Sequence, residues 1–127
     1  MQAMRAYERK YIRVEYRQDV QLRTQTGIQL IAHSENISAG GVEVVCDRIT
    51  AQTIMPVDYQ FDPDTPLVLS IELSLGEEDH HLYATCSVQN VRRLAQDCFG
   101  FNLKFNTFKR QSEGLLEGFV KEQSGYA

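Results

Sequence analysis

Arg9 and Arg13 stand four apart in the run ERKYIRV, with Lys10 between them, just ahead of the first strand-like segment. Guanidinium groups placed there can grip phosphate oxygens with paired N–H donors, dock bidentately on guanine O6 and N7, or stack flat on a purine ring. The spacing alone is a weak signal, because Arg5 and Arg9 repeat it, and by itself it reads more simply as a solvated basic arm. A second polar group comes at Asn36, Ser38, Gly40 and Gly41, in the stretch NISAGG. A side-chain amide, a hydroxyl and two glycines make a loop that polar ligand groups can approach, since glycine permits positive φ and close backbone contact. An Asx or Ser turn making its own backbone bonds explains the same residues.

Other chemistry is weaker. Glu77, Glu78, Asp79, His80 and His81 offer ligand types, but consecutive residues at a hairpin tip are expected to diverge, and no further ligand has suitable spacing, so a solvated turn is expected. His33 stands alone and reads as structural. Cys46, Cys86 and Cys98 are odd in number and contain no Cys-x-x-Cys pair, which suggests buried thiols, neither a disulfide framework nor a zinc site. No Gly-x-Ser-x-Gly, HExxH or P-loop is present, so neither an enzyme nor a bound cofactor or metal is expected. Asn36-Ile37-Ser38 matches a glycosylation sequon, a reading that needs a secretory route. The polar start MQAMRAYERKYIR makes a poor signal peptide, and the expected location is the cytoplasm.

These groups must be held by a single small domain, because 127 residues leave little room for a second core. Apolar residues form 43% and charged residues 24%, which suits a globular chain; no apolar run approaches the ~20 residues of a bilayer-spanning helix, so no membrane insertion is expected. The net charge of −4 is unevenly spread, with +3 on residues 1–23 and −7 on the remainder. A basic arm on an acidic body suits a small anionic ligand better than a long nucleic acid, whose phosphates beyond the arm would meet repulsion. A single-strand nucleic-acid binder would also want exposed aromatics among Lys and Arg on a strand face.

Most of the chain alternates with period two between Gly, Asn and Asp punctuation. Strands are predicted around Ile12–Leu22, Ile28–Ala32, Gly41–Cys46, Leu67–Leu75, Leu82–Val91 and Phe99–Phe105. Ser34 to Gly40 reads as a loop, and residues 47–66, with all three prolines, as a long irregular excursion. Helical spacing of apolar residues begins only near Phe108. The expectation is a mainly β fold: a small antiparallel barrel of six to seven strands with a C-terminal α-helix, since closure removes exposed edges. Residues 1–13 would form a flexible basic arm, and residues 14–127 the barrel domain.

Taken in order, ERKYIRV, NISAGG, GVEVV and the closing CFGFNLKF with its helix resemble the PilZ family of cyclic di-GMP receptors over nearly the whole chain. That family carries an Arg-x-x-x-Arg arm followed by an Asp-or-Asn-x-Ser-x-x-Gly loop on a small barrel. The resemblance implies that Arg9 and Arg13, with Lys10, bind phosphates and guanine edges as the arm folds over the nucleotide. It also implies that Asn36 and Ser38 meet the ligand from the barrel side, with Gly40 and Gly41 allowing close approach. Many members have Asp at the position of Asn36, where a carboxylate accepts charge-assisted bonds from guanine; an amide has one neutral acceptor there. The implied function is a non-enzymatic cyclic di-GMP receptor that orders its arm on binding and signals to a downstream protein. An adaptor of the same fold that binds a protein and little nucleotide is the alternative.

Overall fold

The computed structural model describes residues 12–55 and 64–125. Along it run β1 (Val14–Glu15), β2 (Asp19–Thr24), β3 (Gln29–Ile37), β4 (Gly41–Cys46), α1 (Arg48–Ile54), β5 (Val68–Leu75), β6 (Glu77–Ala95), β7 (Cys98–Phe108) and α2 (Ser112–Ser124). Every pairing is antiparallel. Strands β3, β2, β5, β6, β7 and β4 succeed one another around a sheet that closes where β3 pairs with β4. The result is a six-stranded barrel with β1 added along the far end of β3. No helix among the described residues is long and apolar enough to cross a membrane.

Period-two patterning decides which side chains enter the barrel. Leu69, Ile71, Leu73 and Leu75 of β5, and Phe99, Phe101, Leu103 and Phe105 of β7, are all buried, as their alternation predicts. Phe101, Leu22, Ile37, Met55, Leu82 and Leu116 are the largest side chains closed off from solvent. Cys46 and Cys86 are buried, Cys98 partly so; burial pushes the Cys46 and Cys86 thiols up to about 12, so neither is a thiolate at neutral pH.

Several predicted elements differ from the structure, among them β6, which runs from Glu77 through the expected turn at 77–81 and on to Ala95. The excursion at 47–66 is not wholly irregular, because Asp47 caps α1 by accepting from the Thr50 N–H at 2.8 Å, which also holds its carboxyl below the usual range. This short helix buries Ala51 and Ile54 at the end of the barrel where β4 stops. The prolines that suggest a loop all lie beyond it. Strand β7 continues through Phe108, and α2 starts at Ser112. That helix buries Leu116 and Val120, and its Ser112 Oγ accepts from the Tyr83 N–H at 2.8 Å. Ser34 to Ile37 belong to β3, which leaves only residues 38–40 as loop.

The first predicted strand is broken into β1 and β2, and buried Ser34 holds the break together. Its Oγ donates to the Tyr16 carbonyl at 2.5 Å and accepts from the Gln18 N–H at 3.0 Å, satisfying two backbone groups at the irregular stretch. Tyr16 itself donates its hydroxyl to the Ser74 carbonyl and accepts from the Gly76 N–H at 2.9 Å. Its ring meets the Phe119 ring of α2 edge-on, 4.7 Å between centroids. The chain on leaving β1 is thus tied to both the barrel and α2.

Because Phe101 is completely buried at the centre of β7, Phe101→Ala should reduce unfolding free energy by about 3–5 kcal/mol, read as a lowered denaturant midpoint at unchanged slope.

Candidate functional site

The β3–β4 hairpin turns on Ser38. Ser38 and Gly41 close it through an N–H···O bond of 2.9 Å, while the Ser38 hydroxyl accepts from Gly40 N–H at 3.1 Å and Gly41 N–H at 3.2 Å. Ser38 is therefore first a turn residue, as its type allows. Among the described residues its own proton has only a long contact of 3.4 Å, to the Gly41 carbonyl, and remains available to an acceptor. Neither Gly40 nor Gly41 has positive φ. Glycine is needed at 41 for another reason: a Cβ there would lie 2.3 Å from the Leu103 carbonyl oxygen of β7, so β4 and β7 approach only because it is absent.

Closing the turn this tightly sets the register of the two strands it joins. Ile37 pairs with Val42 and Asn36 with Glu43, with the β3 irregularity falling between Ser34 and Asn36. Glu43 pairs in turn with Asn102, and Asn102 with Asn90, so four polar residues form a row across β3, β4, β7 and β6. They share the outer face because Val42, Val44, Phe101 and Leu103 between them point into the core. Asn36 Nδ2 donates to Glu43 Oε1 at 2.7 Å, Arg92 Nη2 donates to Glu43 Oε2 at 3.0 Å, and Asn102 Nδ2 donates to Asn90 Oδ1 at 2.8 Å. Glu43 is well enclosed for a charged group, its side chain only 14% exposed.

Arg13 joins this face from the position immediately before β1. Val14 pairs with Ile37 and Glu15 with Asn36, so the chain runs back past the hairpin and sets Arg13 level with Ser38. Arg13, Asn36, Ser38, Gly40 and Gly41 together line one open groove of about 540 Å³, whose walls also include Glu43, Asn90, Asn102, Lys104, Phe108 and Glu113. Lys104 is exposed, and Phe108, half-buried against Phe105 with centroids 5.2 Å apart, provides an apolar wall. Arg9 and Lys10, the other two residues of the expected set, lie outside the described residues.

Sequence patterning does not single out Glu43, Arg92, Asn90, Asn102 or Lys104. The alternation in GVEVVC does place Glu43 out of phase with Val42 and Val44, but a loop over residues 34–37 would leave it without a strand partner. At the far hairpin, Glu77, Asp79 and His80 converge, their ligand atoms all within 4.8 Å, contrary to the expected divergence. They lie at an irregularity where Ser74 pairs with His81 but Leu75 with Glu77, around Gly76 at φ 81°. Glu77 and Asp79 are exposed. A second concavity of about 550 Å³ on β2, β3, β5 and β6 is lined by none of Arg13, Asn36, Ser38 and Glu43.

The model of the PilZ domain matches residues 5–122. The chain belongs to the PilZ family. Solved structures with the same fold include the inhibitor of motility of Bacillus subtilis (21% identity, TM-score 0.66, covering 92% of this chain and 52% of that one). Another is the PilZ domain with c-di-GMP of YcgR from Escherichia coli (12% identity, TM-score 0.63, 92% of each chain). A third is the PlzA protein of Borreliella burgdorferi in complex with c-di-GMP (12% identity, TM-score 0.58, 97% and 55%). The present PilZ domain thus spans about half the length of the Bacillus and Borreliella proteins and nearly all of the Escherichia domain. No curated protein sequence gives a significant match.

Gly41→Ala in this PilZ domain should force β4 and β7 apart at the groove. The expected outcome is a loss of about 1–3 kcal/mol in stability, with amide-shift changes concentrated at Leu103 and Lys104 in NMR spectra.

Proposed function

We propose that this chain is a non-enzymatic receptor for cyclic di-GMP. The observation that carries the reading is the convergence of Arg13, Asn36 and Ser38 on a single groove, in the register that the paired motifs imply. Similar folds carrying c-di-GMP in Escherichia coli YcgR and Borreliella burgdorferi PlzA support it. The ligand offers two phosphates, two guanine edges and flat π-faces. Arg13 suits the phosphates and the guanine O6 and N7, Lys104 adds a point charge, and Asn36 and the Ser38 hydroxyl supply short polar contacts. The mixed groove, where Arg13 and Lys104 stand with Glu113 and with a Glu43 whose charge Arg92 offsets, suits a compact ligand with two charges better than a long polyanion.

In this reading Arg9 and Lys10 enter from the arm, which folds over a nucleotide seated on the barrel. Ordering those residues opposes binding through conformational entropy, and their contacts with phosphate and base must exceed that term. The reorganised surface of arm and groove is then what a downstream protein reads.

Calorimetric titration with cyclic di-GMP, with cyclic GMP and a short single-stranded RNA as comparisons, tests the reading. Heat with the first alone supports a receptor; no heat with any of them points to the adaptor. Arg9→Ala and Arg13→Ala should each weaken cyclic di-GMP binding by about 1.5–3 kcal/mol with little change in folding, and Arg5→Ala by much less. An Arg5→Ala loss equal to that of Arg13→Ala would show that the arm register is wrong.

Hydrogen exchange on the same complex checks the arm. Residues 1–10 should gain protection when cyclic di-GMP is added, and unchanged protection would leave binding intact but remove the switch.

A further inference from the structure

The row of outward polar residues contains one carboxylate with both oxygens engaged inside the domain. Glu43 Oε1 receives the Asn36 amide at 2.7 Å and Oε2 the Arg92 guanidinium at 3.0 Å. A carboxylate accepts and cannot donate, so the Asn36 side chain has only one orientation that satisfies this contact: Nδ2 toward Glu43 and Oδ1 away from it. Asn36 lines the groove, and its Oδ1 makes no hydrogen bond among the described residues. An amide free to rotate presents either end; this one commits its Nδ2 end to Glu43 and leaves the Oδ1 acceptor as the opposite end.

We propose that Glu43, anchored by Arg92, is a positioning residue that turns the Asn36 carbonyl oxygen toward the base and thereby makes the groove select guanine over adenine. The inference rests on the reading of this groove as a cyclic di-GMP site. Guanine carries N1–H and N2–H₂ donors on its Watson–Crick edge and matches an acceptor. Adenine presents the lone pair of N1 at the corresponding place and is repelled by one. A site whose polar group is committed to one sense rejects the mismatched partner, because the mismatch leaves that group unpaired. The arrangement also accounts for how an asparagine serves at a position where a carboxylate would be a better acceptor. A carboxylate at position 36 would stand against Glu43 within hydrogen-bonding distance, whereas Asn36 uses its donor on Glu43 and keeps its acceptor for the ligand.

Glu43→Gln tests this with a change of almost no volume. Arg92 requires an acceptor, so the introduced amide turns its oxygen to the guanidinium and its NH₂ to Asn36. Asn36 must then reverse, offering Nδ2 to the groove. Affinities for cyclic di-GMP and its adenine analogue, cyclic di-AMP, are measured by calorimetry on the whole chain, with thermal melting to verify folding. Both ligands carry the same two phosphates, so the lost negative charge affects them alike and cancels in their ratio. The wild type should prefer cyclic di-GMP, and Glu43→Gln should reduce that preference by about tenfold or more. Glu43→Asp, which keeps an acceptor-only group, should restore it.

A Glu43→Gln protein that binds cyclic di-GMP with the wild-type preference overturns the positioning role while leaving the receptor reading intact. A wild type that binds neither nucleotide overturns both. If Glu43→Gln does not fold, Asn36→Ala gives the decision: a preference undiminished there excludes Asn36, and with it Glu43, as the source of selectivity.

Discussion

The pairing of β3 with β4 is the contact on which both the barrel and its groove depend. Without it the six strands form an open sheet with two free edges; with it every barrel strand has neighbours on both sides. The hairpin that makes this contact turns in three residues, and Ser38 accepts two of its N–H groups. A turn this short leaves no slack in register, so Asn36 must face Glu43 and Ile37 must face Val42. Since side chains alternate across the sheet, the same register that sends Ile37 and Val42 inward puts Asn36 and Glu43 on the groove side. Fold closure and site assembly are one event.

The groove is also fixed from its other sides. Gly41 lets β7 come close enough for Asn102 and Lys104 to enter beside Glu43. Ser34 bridges the interruption between β1 and β2, and Tyr16 ties that interruption to the β5–β6 turn and to α2. Arg13 therefore leaves the barrel from an anchored point, level with Ser38. Its direction is set at Val14, where regular pairing with β3 begins.

Electrostatics within the groove are local. The body of the chain is acidic, yet of the two carboxylates that line the groove Glu43 has its charge offset by Arg92, and Lys104 and Arg13 stand on the same open face as Glu113. Glu43 is enclosed enough that its hydrogen bonds order the residues around it, while Arg92 remains 62% exposed and screened by solvent. The pair contributes orientation more than stability, as expected for an ion pair with one partner in water.

Along the chain alone one can read the apolar alternation of β4, β5 and β7, the terminal helix, and the types and order of Arg9, Arg13, Asn36, Ser38 and Gly41. Those signals are local: a period of two or a motif spacing survives without knowing which strand lies beside which. The short helix α1 escapes such a reading because its cap and two buried residues are weak signals beside three prolines, and its burial depends on the barrel end it covers. Folding adds that Asn36 is a strand residue facing Glu43, that Arg92 comes from 49 residues further along to hold that carboxylate, and that Gly41 is required by the Leu103 carbonyl. Each of these depends on strand register across the closed sheet, which brings together residues whose types carry no mutual signal in the sequence.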